Sequence, residues 1–131
     1  GPVRMAGPGM LALGGPRHTL ERNCPDPCME ALTRALEAWP GREAFPLLVV
    51  ADDADFCAAH LDNFLWVTFT RSDPATDVYG VKAAKHWSCE APLLVDARQK
   101  PFHAPPLEED PAVVRRVEAL AAPGGPLHNL L

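Results

Sequence analysis

Several features that would assign this 131-residue sequence at sight are missing from it. It has no run of five or more Lys or Arg, and its formal net charge is −5. Neither a nucleic-acid surface nor an anionic membrane surface is expected of such a chain. No apolar stretch approaches the roughly 20 residues that cross a bilayer. The opening Gly1–Gly15 lacks the charged-then-apolar pattern of an export signal. There is no Gly-x-Ser-x-Gly elbow and no Ser-His-Asp order, so a hydrolase has no support. No Gly-x-Gly-x-x-Gly follows a strand-like run, which leaves an autonomous dinucleotide site unsupported. No internal repeat is visible. Cysteine is limited to Cys24, Cys28, Cys57 and Cys89. With no export signal and enough chain to bury a core unaided, these are expected as reduced thiols in a cytoplasm, not as a disulfide framework.

What is present is 47% hydrophobic residues, punctuated by 15 Pro and 9 Gly. The length fits one compact domain. Residues 1–25 are expected to form a Gly/Pro-rich segment set apart from a domain at 26–131. Gly1-Pro2 matches the scar of a removed tag, so residues 1–4 are set aside, with Met5 or Met10 as the native start.

The first helix is predicted from Asp26-Pro27. The Asp side chain can accept from the free N–H groups of the first turn, and Pro at the first helical position forfeits no bond. Met29, Leu32, Leu36 and Trp39 recur at helical spacing until Pro40-Gly41 stops them. Leu47–Val50 reads as a strand buried on both faces. Asp52, Asp53 and Asp55 follow it, where carboxylates suit a helix N-terminus and could also suit Mg²⁺. A helix is predicted over about Ala58–Phe69, with Leu61, Phe64, Leu65 and Thr68 on one face. Asp77–Val81 is expected as a short edge strand and Pro92–Val95 as a second buried strand. Asp110-Pro111 repeats the capping device before a helix striped by Val113, Val114, Val117 and Leu120. The apolar tail Leu127–Leu131 is expected to dock. Alternating strands and helices predict an α/β fold of three layers, a mostly parallel sheet flanked by helices.

Three segments resemble the C-terminal domain of the UbiD-type decarboxylases. Leu47–Asp55 looks like that family's strand ending in an acidic cluster. Phe64–Asp77 resembles its helix with a Trp-containing stretch, a Thr-Arg pair and an Asp-Pro-Ala-x-Asp turn. Val95–Lys100 is similar to its Asp-Ala-x-x-Lys, and a fourth segment, Asp110–Val114, is like its last helix. The resemblance implies a small subunit or C-terminal-type module of a non-oxidative (de)carboxylase acting on aromatic or unsaturated acids. Prenylated flavin mononucleotide, a divalent metal and a monovalent cation would then sit in a large partner subunit, and none of them on this chain alone. The family's catalytic Glu-Arg-Glu set and metal ligands have no counterpart here, so no catalytic residue is carried over. The expected roles are completing the substrate cleft and building oligomer contacts. The alternative is a non-catalytic scaffold that self-associates through its edge strand and tail.

Lys85, His86 and Trp87 combine a cation, a titratable ring and a flat indole, which suits an aromatic carboxylate. They are the substrate-cleft candidates, against the plainer reading of a surface loop. Arg71, among Asp73 and Asp77, is expected to anchor a loop through charge-assisted hydrogen bonds. Cys24, Cys28, His86 and Cys89 offer four zinc ligands, but two-residue Cys spacing is lacking, and small buried cysteines are the expectation. The His103–Pro106 segment is expected to be extended, as a linker or an arm.

Overall fold

The structure, a computed structural model, describes residues 1–85, 88–104 and 109–128, with side chains left undescribed over 83–88. Five strands form one sheet: β1 (Val3–Gly7), β2 (Met10–Gly14), β3 (Leu47–Ala51), β4 (Val78–Lys85) and β5 (Ser88–Asp96). Their order across the sheet is β1-β2-β3-β5-β4. The centre, β2-β3-β5, is parallel, with Leu11 against Leu48 and Val49 against Val95. Both edges are antiparallel, because β1–β2 and β4–β5 are joined as hairpins. The sheet is therefore mixed and not mostly parallel. Short connections permit only antiparallel neighbours, whereas the parallel pairs are separated by helical crossovers.

The expected boundary at residues 25/26 does not divide the sheet. β1 and β2 come from the first 14 residues, and Ala12 of β2 is fully buried. Val3 and Arg4, from the stretch set aside, lie in β1.

Helix α1 (Pro27–Ala38) begins as predicted. The Asp26 carboxylate accepts from the N–H groups of Cys28 and Met29, and Pro27 opens the first turn. It buries Met29 and Leu36 against Leu11, Leu48, Val50 and Leu94 on one face of the sheet. The opposite face is covered by α2 (Ala54–Ala59) and α3 (Leu61–Thr70), where Cys57, Phe64 and Val67 pack on Ala12, Val49 and Val95. The alternation of Val49 and Val50 to opposite faces explains the continuous apolar run of β3. Helices thus flank the sheet on both sides.

The single helix expected over Ala58–Phe69 is two helices, broken at His60, whose backbone is extended. Asp53 caps α2 by accepting from the Phe56 N–H. The buried face of α3 is Phe64, Val67 and Thr68, while Leu61 and Leu65 are exposed with Trp66 and Phe69. Helix α4 (Pro111–Ala121) is capped by Asp110 as predicted. Its stripe of Val113, Val117 and Leu120 is exposed, and among the described residues α4 makes no extended contact with another element. Leu127 donates to the Leu120 carbonyl, turning the tail back on α4. Residues 129–131 of that tail, and Pro105–Pro106 of the expected arm, lie outside the described residues.

Candidate functional site

Parallel strands direct their carboxyl ends to one edge, and in open α/β sheets that edge is where ligands bind. Here it gathers Gly15 after β2, Asp52 after β3, and Asp96, Arg98 and Lys100 at the end of β5. The period-2 alternation of a strand sends Val95 and Ala97 into the core beneath α2 and α3. Asp96 and Arg98 point the other way, toward the start of α1.

Arg98 is the largest fully buried side chain, at 1% exposure. Its guanidinium forks onto both oxygens of Asp96, each at 2.8 Å, and donates to the Asp26 carboxylate and to the Pro16 carbonyl at 3.1 Å. Burial alone would raise the Asp26 carboxyl, but Arg98 and the helix N–H groups outweigh it and hold it below the usual carboxylate value. Burial likewise opposes the charge on Arg98, and the two aspartates more than reverse that. The cation and its two anions therefore persist together as one buried unit.

Lys100, equally buried, pairs with Asp77 at 3.0 Å and donates to the carbonyls of Asp96 at 2.9 Å and Arg71 at 3.2 Å. The loop between α3 and β4 is tightened by its own carboxylates. Asp77 accepts from the Asp73 N–H at 2.7 Å, and Asp73 accepts from the Ala75 N–H at 2.9 Å. Arg71 reaches neither Asp73 nor Asp77. It pairs instead with Asp52 at 3.3 Å and lies over the Trp66 ring, 5.2 Å from its centroid. The charge that fastens Asp77 is Lys100.

Above this layer lies an open cleft of about 780 Å³, lined by Gly15, Arg17, His18, Asp52, Arg71, Gln99, Lys100, Pro101 and His103. His103 accepts from the Lys100 N–H through Nδ1 at 3.3 Å, so its neutral ring carries the proton on Nε2. Burial, then the neighbouring Lys100, holds this histidine below its usual value. The arrangement can bind and orient a polar group. It presents no activated nucleophile among the described residues.

Of the substrate-cleft candidates, the structure describes the backbone of Lys85 alone. Lys85 ends β4 and is paired in register with Ser88, so the hairpin carrying it stands at the amino end of β5. The nine residues of β5 separate that hairpin from Asp96 by roughly 25 Å at the usual rise of a strand. His86 and Trp87 lie outside the described residues, as does the side chain of Lys85. The zinc set also depends on His86. Cys24 and Cys89 are exposed and Cys28 half-buried, so only Cys57 fits the expectation of small buried cysteines. Among the described residues, the one gathering of three potential metal ligands is His18, Asp26 and Asp96, which contains no cysteine. The Arg98 guanidinium already occupies the carboxylates of that group.

Read from the sequence, Asp26 is a helix cap alone, and His18, Arg98 and Lys100 have no role in a site. The signal that could have found Arg98 and Lys100 is the alternation Asp96-x-Arg98-x-Lys100 just past a buried strand, which places like-facing charges where solvent is excluded.

No family model matches the chain. A 4-hydroxybenzoate decarboxylase subunit of Chlamydia pneumoniae is 30% identical over 101 residues, 75% of this chain and 17% of that protein. An uncharacterized protein of Chlamydia muridarum is 32% identical over 80 residues, 59% of this chain and 14% of its own length. The chain thus spans between 14% and 17% of the curated relatives it matches. Among solved structures, the open form of vanillic acid decarboxylase from Sedimentibacter hydroxybenzoicus is 14% identical, covering 85% of this chain and 25% of that one, with a TM-score of 0.47. Over three quarters of its length, this chain is similar to a stretch that makes up 17% of the chlamydial 4-hydroxybenzoate decarboxylase subunit.

Proposed function

We propose that this chain is the C-terminal-type module, or small subunit, of a UbiD-type non-oxidative (de)carboxylase of aromatic or unsaturated acids. It packs beside a larger catalytic part, completes the substrate cleft and contributes oligomer contacts, and it is inactive alone. The observation that carries this reading is the 30% identity to the chlamydial 4-hydroxybenzoate decarboxylase subunit, over 75% of this chain but 17% of that protein.

Two features support it. The outer face of α3 exposes Leu61, Leu65, Trp66 and Phe69, and α4 exposes Val113, Val117 and Leu120. A row of exposed large apolar side chains on one helix suits an interaction face. The second feature is the one group of potential metal ligands among the described residues. The His18, Asp26 and Asp96 group is a poor divalent-cation site, because Arg98 already neutralises its carboxylates. The family resemblance places the prenylated flavin and its cations in the larger part, where the flavin would supply the electron sink.

Lys85, His86 and Trp87 remain the candidates for the substrate cleft that this chain completes. No helix among the described residues is long and apolar enough to cross a membrane, and the four cysteines are free thiols. A reducing cytoplasm is the compartment that suits such thiols.

The test is affinity purification from the source organism with mass spectrometry, followed by turnover assays on the separated and recombined components. A large flavin-bearing subunit in fixed ratio, active only when recombined with this chain, is the expected result. A pure homo-oligomer without flavin absorbance, or a large subunit equally active alone, would replace this reading with the scaffold alternative.

A further inference from the structure

The cleft at the carboxyl ends of β2, β3 and β5 has a charge imbalance that its structural role does not use. The chain as a whole is acidic, yet this cleft draws Arg17, Arg71, His18 and His103 around a single carboxylate, Asp52. That carboxylate is already engaged, since one of its oxygens accepts from the Gln99 N–H at 2.7 Å and from Arg71 at 3.3 Å. Lys100, also in the wall, is consumed by Asp77 and by backbone carbonyls.

The remaining donors are uncommitted. Arg17 is exposed and forms no ion pair or side-chain hydrogen bond among the described residues. Arg71 uses one terminal nitrogen on Asp52, which leaves most of its five N–H groups available. The Nε2–H of His103 follows from the bond at its Nδ1.

His18 is 8% exposed and lines the cleft. Its Nε2 faces Asp26 at 3.9 Å, while its buried Nδ1 has no partner among the described residues.

We infer that this cleft is an oxyanion-binding site, which takes a carboxylate or phosphate group on Arg17, Arg71 and His103. Its volume of about 780 Å³ admits a small organic anion and not only an ion. Guanidinium groups suit it because their planar forks match carboxylate and phosphate geometry. The inference stands on this chain's own residues and does not depend on the decarboxylase reading.

The test is titration of the ¹⁵N-labelled full chain with sodium phosphate and, separately, with sodium benzoate, at constant ionic strength set with chloride. The expected result is saturable shifts around residues 15–18, 71 and 99–103, with Kd tighter than about 10 mM for at least one anion. Preference for phosphate points to a phosphorylated ligand, and preference for benzoate to an organic acid. Arg17→Ala, at an exposed position, should keep the spectrum of the folded chain and weaken binding about tenfold, the usual loss of a charged hydrogen bond. Arg71→Gln should weaken it similarly. The inference is overturned if neither anion saturates, or if both variants bind as the parent does.

Discussion

Arg98 and Asp26 meet across 72 residues of chain, joining the end of the last sheet strand to the cap of the first helix. One Asp26 oxygen serves the α1 N–H groups while the other serves the guanidinium, so helix capping and strand anchoring share a carboxylate. Breaking such a buried pair by removing one partner leaves an uncompensated charge. Arg98→Met should therefore destabilise the fold by roughly 3–5 kcal/mol. Arg98→Lys should recover only part of this, since an ammonium lacks the fork that holds both Asp96 oxygens. Urea denaturation of the three chains checks the order.

Asp26 also sets a pH response. Its folded-state carboxyl lies below the usual value, so its contribution is complete above the unfolded pKa and fades as pH falls through the folded one. Tyr79 gives the opposite edge. Burial, with Asp96, Asp26 and Asp77 nearby, pushes its phenol from 10.0 up to about 12. Between those values the folded chain keeps a proton that the unfolded chain has released, so stability falls as pH rises through that window. Tyr79→Phe should flatten this alkaline slope. Urea midpoints at about pH 9 and about pH 11, for parent and variant, measure it.

Gly15 gives a steric prediction. A Cβ there would lie 2.6 Å from Val50 Cγ1 and 2.7 Å from Arg98 Cδ, inside contact distance of both. Gly15→Ala should cost about 1–3 kcal/mol through overpacking. It should also displace Arg98 from Asp96, visible as altered guanidinium Nε–H exchange in the NMR spectrum.

Much of this fold follows from local rules that operate within a few residues. Asp26-Pro27 and Asp110-Pro111 cap helices, and Leu47–Ala51 forms a buried strand, because each signal is complete in its own segment. Expectation and structure part where packing between distant segments decides. Leu61 and Leu65 share a helical face with Phe64 and Thr68 only on a broad wheel, and the sheet selects Phe64, Val67 and Thr68. The strand β2 needs β3 as a neighbour before Met10–Gly14 means anything. Arg71 does bind a carboxylate, but its partner Asp52 stands 19 residues earlier in the chain, not in its own turn. The network of Asp26, Asp96, Arg98, Lys100 and Asp77 joins three separate segments, and no spacing within one of them encodes it.

The exposed face of α3 tests the assembly most directly. Leu61, Leu65 and Phe69 recur every fourth residue, so they form one stripe, with Trp66 beside it and Phe69 at 75% exposure. None of the three belongs to the buried clusters of the chain, so charging them removes little folding energy. Leu65→Asp with Phe69→Asp should leave the thermal midpoint within a few degrees of the parent, since surface changes are usually within about 0.5 kcal/mol. If the proposed assembly holds, the same double substitution should sharply reduce capture of the proposed large subunit in a pull-down, because a charge placed in an apolar interface is desolvated without a partner. Undiminished capture would move the contact away from α3, leaving α4 as the apolar face to charge next. Loss of folding instead of capture would show that α3 is buried within the chain itself, contrary to its exposure here.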